Sequence, residues 1–340
     1  MAPETLRTDI LVIGAGPVGL FAVFEAGMLG MKCHVVDVLD EVGGQCAALY
    51  PEKPIYDIPG YPEILAGDLI DKLARQVAPF NPVYHLGRQV TALTPRPDSG
   101  WRASAGAGLE IEAAAIVIAA GVGAFGPNRP PIPGIEAYEG RSVFYYVKRR
   151  EDLRGRRVVI AGGGDSAVDW AIALSDVAAS ITVVHRRAKF RAAPASERRL
   201  KELAAAGTID FAIPYQLAGL DGRDGRLTAV RIATLDGTER VVPADALLAF
   251  FGLAMNLGPI AAWELNLDRN RIVVDPATCA TGRAGLYAIG DIAHYPGKLK
   301  LIVTGFAEAA MAMHAAYALA RPGQALHVEY STLRGVVGLA

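Results

Sequence analysis

The sequence predicts an α/β protein of two Rossmann-like nucleotide-binding domains, and three observations predict it. An apolar run followed by a glycine-rich turn occurs twice: residues 10–13 precede Gly14-Ala15-Gly16-Pro17-Val18-Gly19, and residues 158–161 precede Gly162-Gly163-Gly164-Asp165-Ser166-Ala167. Twenty-three positions beyond the first glycine of each turn, the chain places Asp37 in one case and His185-Arg186-Arg187 in the other. The third observation is length. Single cores stop growing near ~250–300 residues, and this chain has 340.

The first unit opens on the strand expected over residues 10–13. Its first glycine allows the tight strand-to-helix turn, its second lets the backbone approach a pyrophosphate, and Gly19 lets the helix pack on the strand. Phosphates then meet the positive end of the helix. A second strand over residues 33–36 ends in Asp37. That carboxylate suits a ribose diol and repels a 2′-phosphate, so the first unit reads as a site for FAD or NAD. An apolar strand over residues 113–120 leads into Gly121-Val122-Gly123 and a proline-rich link over residues 126–133.

The second unit repeats the plan with a different ending. Its strand over residues 181–184 runs into His185, Arg186 and Arg187, with Lys189 and Arg191 close behind. Such a cluster suits a 2′-phosphate through fork-shaped, charge-assisted hydrogen bonds. Gly162, Gly164, Asp165, Ser166, Ala167, His185, Arg186, Arg187 and Arg191 are therefore the candidate NADP(H) residues. A further apolar strand over residues 246–251 precedes a return segment, after which residues 285–291 read as a strand ending in Asp291. A helix is expected over residues 300–319. The domains are placed at residues 1–124 and 252–340 for the first, split, unit and 125–251 for the second.

Composition narrows the class. The formal net charge is −1, which excludes a generally basic nucleic-acid binder. No apolar stretch is expected to reach the ~20 residues of a spanning helix, and the polar start of the chain points to the cytoplasm. The three cysteines, Cys33, Cys46 and Cys279, form no CxxC pair and no zinc or iron–sulfur spacing. The six histidines show no metal spacing either. Arg149, Arg150, Arg154, Arg156 and Arg157 form a charge run that reads as solvated surface, with docking of an acidic iron–sulfur protein as the alternative.

Several strings carry a closer resemblance. These are Gly43-Gly44-Gln45-Cys46, the run from Tyr50-Pro51-Glu52 to Gly60-Tyr61-Pro62, Tyr145-Tyr146-Val147-Lys148, and Lys298-Leu299-Lys300-Leu301-Ile302-Val303-Thr304-Gly305-Phe306. The whole chain resembles the thioredoxin-reductase-like flavoproteins, with an NADPH domain inserted in a split FAD domain. It departs from thioredoxin reductase where that enzyme carries its redox CxxC, since residues 142–152 contain no cysteine. Without a dithiol, electrons cannot leave by thiol exchange. In these strings the chain resembles the thioredoxin-reductase-like ferredoxin–NADP+ reductases.

That resemblance implies FAD contacts at Gly14, Gly16, Pro17, Gly19, Asp37, Gln45, Tyr50, Val90, Phe125, Asp291 and Thr332. It implies that Tyr50 stacks on one flavin face and that Tyr330, in a C-terminal extension, covers the other; some relatives carry histidine there. The helix after Asp291 would turn its N-terminus toward the pyrimidine end of the flavin. Ferredoxin, or flavodoxin in its place, is the implied partner of a homodimer, with hydride transfer from NADPH to FAD followed by one-electron steps. The NADPH domain would rotate on hinges near residues 125–130 and 251–257. No side-chain acid or base is required. The competing readings are an NADPH oxidase or quinone reductase on the same fold, a thioredoxin reductase with an unusual dithiol, and a nucleotide sensor without turnover.

Overall fold

The computed structural model describes residues 5–106, 108–326 and 335. The described residues form two compact units, one from those up to 125 together with those from 255 onward, the other from residues 126–254.

In chain order, the first unit begins with β1 (Thr5–Ile13), α1 (Pro17–Met28), β2 (Cys33–Val36), α2 (Ala66–Val77) and β3 (Val83–His85). It continues with β4 (Val90–Pro95), β5 (Trp101–Ala105) and β6 (Leu109–Ile118). The inserted unit holds β7 (Val143–Phe144), β8 (Arg157–Ala161), α3 (Asp165–Ala173), β9 (Ser180–Val184), α4 (Pro194–Ala205) and β10 (Ile209–Ala212). It closes with the strands β11 (Gln216–Arg223), β12 (Arg226–Ala233), β13 (Glu239–Pro243) and β14 (Ala246–Ala249). The chain then returns to the first unit for β15 (Leu286–Ala288) and α5 (Ile302–Ala320).

The first unit's sheet runs β3-β2-β1-β6-β5-β4, and β15 pairs with the C-terminal half of β6. Strands β3, β2, β1, β6 and β15 are parallel, whereas β5 and β4 join as an antiparallel extension. Alternation along β1 feeds two cores: Ile10 and Val12 face the helices, Leu11 and Ile13 the opposite layer. A strand covered on both faces reads as a continuous apolar run, which is why only residues 10–13 announced it. The strand in fact starts at Thr5, because Thr5 to Thr8 pair with Glu110 to Ala113 of β6.

In the second unit a parallel sheet of order β7-β14-β8-β9-β10 carries the nucleotide turn after β8. Val158 and Ile160 face one core, Val159 and Ala161 the other. The antiparallel sheet β11-β12-β13 has its own apolar face in the second of these cores. The charge run is largely neutralised on this unit: Arg149 pairs with Asp152, Arg150 with Asp176, Arg154 with Glu151 and Arg157 with Asp245.

One expectation needs correcting. Helix α5 has 19 residues with a mean hydropathy of 1.3, long and apolar enough by length and composition to cross a membrane. Its apolarity comes from alanines that pack against α1, with Gly305, Ala309, Ala312, Met313 and Ala316 buried. The same helix buries Glu308 in an ion pair with Lys298, inside this unit.

Candidate functional site

The first glycine turn lines a cleft contained in the first unit. Its lining includes Gly14, Gly16 and Pro17 of the turn, Asp37, Arg88, Gln89 and Val90, and Gln45, Cys46 and Tyr50. Asp291 and the N-terminal residues of α5, Leu301 and Ile302, complete it. These contributions lie beyond the C-terminal ends of the parallel strands β1, β2, β3, β6 and β15, where open α/β sheets place their ligands.

The turn itself is built for close approach. Gly14 has φ +112°, and a Cβ added there would stand 2.3 Å from the Ala119 carbonyl oxygen. Gly16 caps α1 without a side-chain hydrogen bond, Pro17 opens the helix, and no acidic residue occupies its first turn. The helix therefore offers first-turn N–H groups and a positive dipole end to an anion. Helix α5 likewise starts with no side-chain cap and no acidic residue in its first turn. The Gly43 N–H donates to the Ala15 carbonyl at 2.8 Å, which ties the Gly43-Gly44 loop to the phosphate turn.

Asp37 does more than the sequence suggests. Its Oδ2 accepts the Ala15 N–H at 2.5 Å and its Oδ1 accepts the Leu39 N–H at 2.8 Å. Burial raises its pKa, and the backbone donors of Ala15, Leu39 and Val38 partly offset that rise. A carboxylate has about four lone-pair sites, so capacity remains for a ribose diol. The glycine cradle, two uncapped helix starts and a buried acidic strand end fit a dinucleotide such as FAD.

Tyr50 is half-buried on the cleft wall, with the Cys46 thiol 3.8 Å from its hydroxyl and the Lys53 ammonium 6.0 Å from its ring. Gly19 lies behind the cleft: a Cβ there would stand 2.0 Å from the Gly14 carbonyl oxygen, so its role is helix–strand packing. Tyr330 and Thr332 lie outside the described residues, and Phe125 falls on a segment whose side chains are not described.

In the second unit, Gly164 caps α3 with no side-chain hydrogen bond, and Ala167 is buried beneath it. His185 lies over the turn: a Cβ on Gly163 would meet its ring at 2.2 Å. Phe190 stacks on that imidazole at 5.2 Å and 25°, and the Arg191 N–H donates to the Gly163 carbonyl at 2.7 Å. Burial, reinforced by Arg186, Arg191 and Arg187, lowers the His185 pKa against the opposing hydrogen bond to the Lys189 carbonyl. Asp165 Oδ1 accepts the Ala193 N–H at 3.0 Å, so this carboxylate braces the start of α4. Arg186, Arg187, Arg191 and Ser166 are exposed, and Arg191 forms a backbone bridge with Gly164 of the turn.

Residues 8–316 match the family described as pyridine nucleotide-disulphide oxidoreductase. The chain belongs to that family. Within curated proteins, it is 62% identical over 337 residues to the Ferredoxin--NADP reductase of Rhodospirillum rubrum, covering 98% of each chain. It is 60% identical to the protein of the same name from Paramagnetospirillum magneticum, over 97% of this chain and 98% of that one. Among solved structures, two thioredoxin reductases share the fold. The T. acidophilum thioredoxin reductase superposes with a TM-score of 0.79 at 22% identity, over 92% of this chain and 98% of that one. Lactococcus lactis thioredoxin reductase gives 0.78 at 24%, over 92% and 99%.

Among the described residues of this family member there is no disulphide. Cys33, Cys46 and Cys279 are all free and buried. Burial pushes the three thiols up to about 12, 11 and 12 respectively. Thiolate, the reactive form, is therefore scarce at neutral pH. Titration of the native protein with a thiol reagent is expected to show no thiol uncovered by NADPH, and all three only after denaturation. Release of a thiol pair on NADPH addition would contradict the assignment of these cysteines as packing groups.

Sequence reasoning missed several cleft residues. Arg88 and Gln89 follow β3, Leu257 lies in the return segment and Ile260 and Trp263 just beyond it, with no local motif to mark them as cleft residues. The switch-point rule, applied to the end of β3, is the signal that finds the first pair.

Proposed function

We propose that the chain is an FAD-dependent ferredoxin–NADP+ reductase, moving electrons between NADPH and two ferredoxin molecules. The observation that carries this reading is the 62% identity, over 98% of both chains, to the R. rubrum protein of that name. The cleft of the first unit supports FAD, and the arginine-flanked turn of the second supports NADP(H). FAD held there would supply the chemistry that joins a two-electron hydride donor to a one-electron carrier.

The chain's own part is binding, orientation and exclusion of water. Asp37 takes the ribose hydroxyls while its other hydrogen bonds fix the turn. Gly14 and Gly16 bring the backbone N–H groups of α1 to the pyrophosphate. Asp291 would hold the chain that links phosphate to ring, and Leu301 and Ile302 at the start of α5 line the same cleft, where they would meet the ring's polar edge. Tyr50 covers one ring face. Arg186 and Arg187 bind the 2′-phosphate. Three buried, unpaired cysteines support an exit of electrons that does not pass through thiols.

Anaerobic stopped-flow tests this reading. NADPH is expected to bleach the flavin absorbance of the yellow protein, and ferredoxin alone to restore it, with thioredoxin and a dithiol reporter giving nothing. Bleaching that ferredoxin does not reverse would move the acceptor to oxygen or a quinone.

A further inference from the structure

Glu308 sits in the middle of α5, only 1% exposed, among alanines. An isolated buried carboxylate is unfavourable, and a buried ion pair is seldom retained for stability alone, since apolar groups of similar size do as well or better. Its partners show what it holds. Oε2 accepts the Gly290 N–H at 2.7 Å, and Oε1 accepts the Tyr295 hydroxyl at 2.7 Å. Lys298 donates its ammonium to the same Oε1, and its side chain is 1% exposed.

One oxygen therefore reaches a residue of the cleft lining, Gly290, and the other reaches Tyr295 and Lys298 in the segment that leads to the cleft residues at the start of α5. Gly290 is the residue before Asp291, and the two line the cleft together. Lys298 lies in a loop whose neighbours Pro296, Gly297, Leu299 and Lys300 are all exposed, so its buried side chain is what anchors that loop. The next residues, Lys300, Leu301 and Ile302, form the cleft wall at the start of α5.

We propose that Glu308 is a positioning residue for the flavin site: one carboxylate locks the Asp291 turn and the loop leading into α5 to each other, so that both present themselves to the same ligand. This rests on the FAD reading of the cleft. Glu308 touches no ligand itself; it acts through the Gly290 backbone and the Lys298 side chain. Freed of it, the two wall segments lose their fixed spacing, and the ligand must order them on binding.

The test uses the full chain, stripped of FAD and titrated with FAD by flavin fluorescence, with the circular dichroism of bound flavin and the melting temperature as further readouts. The double variant Lys298→Met/Glu308→Met removes the acceptor and the anchor without leaving a buried charge unpaired. It is expected to fold but to melt below the parent, since the buried Gly290 N–H loses its acceptor, and to bind FAD at least ~10-fold more weakly, the scale on which groups that orient ligating groups act. The flavin dichroism should change as well. Glu308→Gln keeps an oxygen for the Gly290 N–H and should recover part of the affinity. Should the double variant fail to fold, Lys298→Met alone, in which the carboxyl group keeps its Gly290 and Tyr295 partners, is expected to weaken FAD binding and alter the dichroism. Parental FAD affinity and dichroism in a folded variant would overturn the proposal, whatever its melting temperature. Failure of the parent apoprotein to bind FAD would instead overturn the reading of the cleft.

Discussion

Replacing Arg186 and Arg187 together by neutral residues is expected to raise the KM for NADPH about 100-fold and to leave that for NADH within about twofold. The magnitude follows from hydrogen bonds to charged groups, each contributing roughly 1.5–3 kcal/mol net. Two lost at the low end amount to ~3 kcal/mol, or about 100-fold. Selectivity follows from chemistry: only NADPH carries the 2′-phosphate that two guanidinium forks can grip. Both side chains are exposed and neither holds another element in place, so the melting temperature should not move. Steady-state kinetics with both nucleotides at two ionic strengths check this. Screening reaches ~8 Å at physiological salt, so the parent's preference for NADPH should shrink as salt rises, while the double variant's should not. Equal losses for NADH and NADPH would assign the arginines some other task.

Those two arginines were legible because their signal is local: a strand, a turn and a charge at a fixed distance. The same holds for Gly14, Gly162 and Asp37, and through them for the α/β class with its paired nucleotide turns. Contributions made across the chain were not legible. Arg88 and Gln89 reach the cleft because β3 lies beside β2, and Trp263 reaches it because the chain returns from the inserted unit. Neither segment has a pattern that singles it out. Glu308 fails for a different reason. A glutamate in a helix is read as solvent-facing, and only the fold reveals that Lys298 descends from a loop to meet it. Helix α5 was expected, but its apolar length was not, because the alanines that raise its hydropathy serve close helix packing within the unit. The arginine run shows the limit of counting charges: its acidic partners Asp176 and Asp245 come from elsewhere in the second unit.

Gly14→Ala is expected to yield a protein that loses FAD, with an affinity at least ~100-fold weaker, or that does not accumulate in folded form. Two costs act together. The position has φ +112°, a conformation that side chains rarely adopt and that costs about 1–3 kcal/mol. The new Cβ would also lie 2.3 Å from the Ala119 carbonyl oxygen and 2.7 Å from its carbon. Neither atom is the end of a flexible side chain, so backbone must move, at a further ~1–3 kcal/mol for overpacking. The movement cannot be absorbed away from the site. Gly14 donates its N–H to Val36 at 2.9 Å and Ala119 donates to Ile13 at 2.8 Å, so the clash lies between β1, β2 and β6 where the cleft opens. Ala119, Ala120 and Gly121 themselves line that cleft. Gly30→Ala is the control: its φ is +70° but a Cβ there meets nothing within 4 Å, so it carries only the conformational cost and should stay yellow. The ratio of flavin to protein after purification, and the FAD affinity of each apoprotein, separate the two. A Gly14→Ala protein with full flavin content and parental affinity would mean that the turn does not approach the pyrophosphate as its geometry implies.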